Sequence, residues 1–135
     1  MADNHGPHLN AHGTGVRYDH GRYYLFGEHK IAGPLGNSAQ VGVHCYSSKD
    51  WYNWQEKGMA LAVAPAGSGS ETEKGCVPER PRVVCNQQSG QYVRWFRPEP
   101  KGQGYAAART AVAVASPPGP IATCARTGPA PGSGR

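Results

Sequence analysis

Three residues stand out as groups that could do chemistry, and each sits at the edge of a strand-like segment. Glu28 follows at once on the aromatic run Arg22–Phe26 in "GRYYLFGEHK", and His29 is beside it. Glu79 stands in "VPERPRVV", close to both Pro78 and Pro81, where the backbone is restricted. His12 lies in "NAHGTG", between small residues that allow a ligand to approach the backbone. A carboxylate can give or take a proton or act as a nucleophile, and a second carboxylate nearby tends to raise its pKa, which favours an acid role. Each residue also has a plainer reading. Glutamate is mostly a solvated surface residue, and a histidine can serve as a structural hydrogen-bonding group. His5, His8 and His12 have a loose metal-like spacing, but no cysteine or second cluster completes a zinc set, so no metal and no cofactor is expected.

The elements that must position these residues read as strands. "GVRYDHGRYYLF" predicts a hairpin turning at "DHG", and "VGVHCYSS" a further strand with Val41, Val43 and Cys45 on one face. "PRVVCNQQSGQYVRWF" repeats the hairpin pattern with "NQQSG" as its turn, and "ARTAVAVAS" continues as a strand. "SKDWYNWQE" reads as a turn with Trp51 and Trp54 packing back, and residues 64–75 as a polar Gly/Ser-rich loop. Tyr23, Tyr24, Phe26, Tyr92 and Trp95 are expected in the core.

The 135 residues suggest one domain. Glycine and proline, 19 and 12, come close to the level at which disorder competes, but they are unevenly placed. The aromatic and branched residues lie within 9–116, and the final twenty, "SPPGPIATCARTGPAPGSGR", are nearly without large apolar side chains and are expected to be disordered. The net charge of +5 is scattered, with no basic run, which argues against a nucleic-acid partner. No apolar run reaches a membrane span, so no membrane partner is expected, and "MADNHGPH" is not a signal peptide. Of the four cysteines, Cys45, Cys76, Cys85 and Cys124, Cys76 and Cys85 are the nearest pair. They can be disulfide-bonded or buried as free thiols, and Cys124, in the tail, is expected to be unpaired.

The chain contains an internal repeat. Tyr23 and Tyr92 are 92 − 23 = 69 apart, and Phe26/Trp95 and Ser47/Ser116 share that offset. Repeated four-stranded sheets are the mark of a β-propeller, and a period above the usual 40–50 residues implies long loops. The fold class expected is therefore all-β, with about two propeller-type blades of antiparallel strands, at about 9–56 and 76–117 within a domain 1–120, followed by a tail 121–135.

The strings "LNAHGTGVRYDHGRYYLFGEHK", "VGVHCYSSKDWYNW", "PERPRVVCNQQSGQYVRWF" and "AAARTAVAVASPPGP" together resemble glycoside hydrolase family 43, in its exo-β-1,3-galactanase-like branch, over residues 3 to about 120. The resemblance implies two of five blades, with His12, Glu28 and Glu79 converging at the propeller axis. Glu28 and Glu79 become the catalytic candidates, and His12, Asn10 and Arg80 the substrate-binding ones. Arg94 is a weaker candidate for a sugar hydroxyl. Most of the family carries an aspartate base before the first hairpin, where this chain has His12 and Gly13, as in the galactanase-like branch. Glu79 matches a second-blade carboxylate that assists the acid, and the family's main proton donor belongs to a third blade beyond this chain. The implied activity is hydrolysis of galactose-containing polysaccharide outside the cell. The alternatives are a non-catalytic carbohydrate-binding remnant and a structural β-repeat that binds proteins.

Overall fold

The structure, a computed structural model, describes residue 6, residues 8–107 and residues 109–115. The expected tail, Cys124 and His5 lie outside the described residues. Among the described residues, seven strands form two antiparallel sheets. β1 (His12–Asp19), β2 (Arg22–Lys30), β3 (Gln40–Ser48) and β4 (Gln55–Ala62) pair in chain order. β5 (Val77–Asn86), β6 (Gln91–Glu99) and β7 (Ala111–Ala115) form the second sheet. The second sheet thus has three strands among the described residues, not four.

The turns follow from local chemistry. His20 and Gly21 both have positive φ, 46° and 76°, as the tight two-residue hairpin between Asp19 and Arg22 demands. At the second hairpin the Asn86 side chain accepts from the N–H groups of Gln88 and Ser89, and Gly90 closes the loop by donating to the Asn86 carbonyl at 2.8 Å. Asp50 organises the turn before β4 in the same way, accepting from the N–H groups of Tyr52 and Asn53. These bonds hold its carboxyl well below the usual range.

The 69-residue offset fits the strands themselves. β2 and β6 start 91 − 22 = 69 and end 99 − 30 = 69 residues apart. One strand has no counterpart in the apolar pattern. β4 extends the first sheet to Ala62, past the limit near residue 56 expected from the sequence. It is an edge strand with one side to solvent, so Gln55, Glu56 and Lys57 are exposed and no alternation marks it.

The main core lies between the sheets, where Phe26, Val43 and Cys45 of the first meet Val83 and Tyr92 of the second. Burial pushes the Cys45 thiol up to about 12, against the opposing pull of Arg94 and Lys57. Tyr92 also donates its hydroxyl to Asp19 Oδ2 at 2.9 Å, tying the sheets at the hairpin end. The far face of the first sheet has its own cluster of Leu25, Tyr46 and Trp54, over which Leu9, Ala11 and Tyr23 pack. Trp54 is buried, with its indole N–H donating to the Trp51 carbonyl at 2.9 Å, whereas Trp51 remains partly exposed.

Trp95 departs from its expected place. Phe26 is 0% exposed, but its repeat partner Trp95 is 46% exposed, along with Val84, Val112 and Val114. The reason is geometric. Both residues occupy the same face of equivalent strands, and the second sheet covers that face in the first repeat. No described residue covers it in the second. Cys76 is a buried free thiol, so the nearest cysteine pair in sequence is not bridged.

Candidate active site

The site lies where β1 and β5 approach each other. Glu28, near the end of β2, pairs across the ladder with His12 on one side and Val43 on the other. Its carboxylate is 6% exposed and aims into the junction between the sheets. Burying a charge is costly unless it is hydrogen-bonded and paired, and here it is both. Oε1 accepts the backbone N–H of Arg80 at 3.1 Å, and Oε2 accepts the Gln40 side-chain amide at 2.9 Å. Lys30 Nζ lies 3.6 Å from Oε2.

Glycines make this approach possible. A Cβ on Gly13, whose φ is +55°, would lie 2.4 Å from Glu28 Oε1, and one on Gly15 would lie 2.3 Å from the Pro81 carbonyl oxygen. The small residues around His12 thus let β1 lie against the carboxylate and against β5. Arg82 fastens the contact by donating from Nη1 to the Thr14 carbonyl at 2.7 Å.

The "PERP" motif supplies the other half. Between Glu79 and Arg82 the β5–β6 register shifts, and Arg80 has a φ of +50°. A bulge of this kind re-aims the backbone, and it turns the Arg80 N–H toward Glu28. Glu79 is the residue just before that N–H and is half-buried, directly across the ladder from Arg97. Covalent geometry then keeps the Glu79 carboxyl within about 10 Å of the Glu28 carboxyl.

The five candidates are therefore placed as follows. Glu79 adjoins the Arg80 N–H that Glu28 accepts, and His12 is exposed and pairs opposite Glu28 on β1. Arg80 takes part through its backbone, with its side chain exposed. Asn10 is used structurally: its side chain donates to the Lys30 carbonyl at 2.5 Å and accepts the Lys30 N–H at 3.1 Å, prolonging the ladder and steadying the lysine beside Glu28. Arg94 is buried within the second sheet. Sequence reasoning missed Gln40, which is 1% exposed and holds Glu28, because a single polar residue at the start of a strand gives no signal. It missed Lys30 as well.

Chemically, both Glu28 oxygens act as acceptors from fixed donors, which suits a residue that orients and anchors. Glu79 is half-buried and more exposed than Glu28. Among the described residues, no three His, Cys, Asp or Glu side chains converge as a metal-ligand set, and no helix is long and apolar enough to cross a membrane.

Solved structures similar to this chain share one theme. A family 43 β-1,3-galactosidase solved with galactodeoxynojirimycin is 46% identical, over 93% of this chain and 36% of its own, with a TM-score of 0.77. An exo-β-1,3-galactanase from Clostridium thermocellum is 34% identical over 88% of this chain and 24% of its own, with a TM-score of 0.72. An exo-β-1,3-galactanase from Phanerochaete chrysosporium, solved with β-1,3-galactotriose, is 35% identical over 92% of this chain and 27% of its own, with a TM-score of 0.70. The chain thus spans about a quarter to a third of these proteins. No protein-family model and no curated protein matches the sequence.

Proposed function

We propose that this chain, which belongs to glycoside hydrolase family 43 and its exo-β-1,3-galactanase-like branch, carries part of a site that cleaves O-glycosyl bonds in galactose-containing polysaccharide. The observation that supports the reading is the hydrogen bond from Arg80 N–H to Glu28 Oε1, which fastens Glu28 to the backbone next to Glu79. Glycosidic cleavage needs an acid to protonate the leaving oxygen and a base or nucleophile on the other face of the sugar. In this reading Glu79 handles or assists the proton, and Glu28, held by Gln40 and Lys30, fixes the substrate-facing backbone. His12, exposed at the rim, contacts sugar hydroxyls. The substrate is an oligo- or polysaccharide met outside the cell, and no nucleic acid, membrane or cofactor takes part.

One observation favours a second reading, a carbohydrate-binding unit without turnover. Both oxygens of Glu28 are engaged as acceptors, which leaves Glu79 as the one candidate proton donor of the pair. The two readings part in an assay of galactose release from β-1,3-linked galactan, run beside calorimetric binding of the same oligosaccharides. We expect binding, with turnover by the 135-residue chain well below the ~1 s⁻¹ typical of enzymes. Turnover at or above that rate, abolished in Glu79→Gln, would make Glu79 the acid and reject the binding-unit reading. Absence of both binding and release would reject the carbohydrate assignment.

A further inference from the structure

We propose that this chain assembles head to tail with further copies of itself, the outer face of the second sheet in one copy docking on the outer face of the first sheet in the next. The inference goes beyond the carbohydrate reading and does not depend on it. Cross-strand pairing puts Val84, Val93 and Val114 in one row of the second sheet, with Trp95 and Val112 in the next. Val84, Trp95, Val112 and Val114 are 46%, 46%, 48% and 55% exposed. Arg82, which pairs opposite Trp95, is drawn off to the Thr14 carbonyl. A contiguous apolar face of this kind marks a surface that another protein covers.

The internal repeat identifies the occupant. Trp95, Val112 and Val114 follow Phe26, Val43 and Cys45 at one offset (95 − 26 = 112 − 43 = 114 − 45 = 69). That earlier trio is the first sheet's share of the main core, where it packs on Val83 and Tyr92 of the second sheet. The chain therefore already makes this interface once, and the exposed trio repeats its giving half. The receiving half recurs too. Tyr92 is the repeat partner of Tyr23, which lies on the outer face of the first sheet. Leu9 and Ala11 pack over the buried centre of that face, whereas Val16, Tyr18 and Trp51 are 44%, 62% and 42% exposed. The Tyr18 and Trp51 rings lie 4.8 and 4.9 Å from the Tyr23 ring, centroid to centroid. Such an aromatic row offers ring faces and edges to an incoming indole. The two sheets pack through their other faces, so the giving and receiving faces point away from each other within one chain, and a second copy supplies the match. A contact between two different faces leaves one of each unused at the ends, so it adds copies beyond two.

Sedimentation velocity of the full chain from about 1 µM to about 300 µM, the range of weak to moderate association, tests the proposal. The chain should be monomeric at the low end and form species larger than a dimer at the high end. Trp95→Glu removes the giving face and Tyr18→Glu the receiving face, and each should weaken association about tenfold or more. The two variants mixed in equal amounts should pair one to one and go no further, because each keeps the face the other has lost. Pairing on mixing also shows that both variants are folded. Trp95→Ser and Tyr18→Ser, milder changes at the same exposed positions, take their place if a glutamate disturbs the circular dichroism spectrum. A parent chain that stays monomeric throughout would overturn the proposal and leave the face to another occupant. Tyr18→Glu assembling as the parent does would also overturn it, in favour of a twofold dimer through Trp95 alone. So would folded variants that fail to pair when mixed.

Discussion

The backbone N–H of Arg80 donates to Glu28 Oε1 at 3.1 Å across 52 residues of chain. This bond joins the first sheet to the second at the candidate site, and beside it stand two left-handed backbone conformations, uncommon at Arg80 and natural for Gly13. A non-glycine residue at positive φ is uncommon and is kept where its surroundings over-determine it.

Gly13→Ala tests that junction. Its Cβ would collide with Glu28 Oε1, and φ there is +55°. The left-handed backbone alone costs about 1–2 kcal/mol for a residue with a Cβ, and moving the carboxylate adds to it. Urea unfolding should show a lower midpoint, and galactoside binding should fall with it. An unchanged midpoint would show that β1 is free to shift away from Glu28.

The repeat partners Phe26 and Trp95 should behave unequally. Phe26→Ala removes a ring packed between the sheets and should cost about 3–5 kcal/mol. Trp95→Ala, on the exposed face, should cost less than half of that. Equal losses in chemical denaturation would mean that something covers Trp95 in solution.

Acid should weaken the fold through His44. Burial, reinforced by His29 whose ring centroid lies 3.9 Å away, pushes its pKa below the ordinary 6.5, and Glu56 opposes this only in part. The folded state therefore binds this proton less well than the unfolded one. Stability from this group is complete above pH 6.5 and falls as the pH drops through that value toward the lower folded-state pKa. Urea midpoints at pH 7.5 and pH 5 should differ more for the parent than for His44→Gln. Matching pH profiles for the two would refute the assignment.

Cys45 should resist alkylation in the native chain. Its thiol is buried and pushed up to about 12, and the thiolate is the reactive form. Iodoacetamide at pH 8, followed by peptide mass analysis, should label Cys45 only after denaturant is added. Rapid native labelling would show that the core between the sheets opens readily.

What could be read from the residues was whatever is local or periodic. Alternation and the turn residues of "DHG" and "NQQSG" were enough for both hairpins, because hairpin register depends on neighbours in the chain. The 69-residue repeat likewise marked two equivalent sheets, and Glu28 and Glu79 stood out as carboxylates beside strands. β4 was not legible, because an exposed edge strand needs no apolar alternation. Tertiary structure alone decided the rest. Which N–H meets Glu28, why Gly13 must lack a Cβ, and why Asn10 clamps Lys30 all depend on how two sheets and their flanking chain meet. So does the contrast between Phe26 and Trp95, residues alike in sequence context but covered on one side only in the first repeat. Packing between sheets joins residues tens of positions apart, and no spacing rule within a strand encodes it.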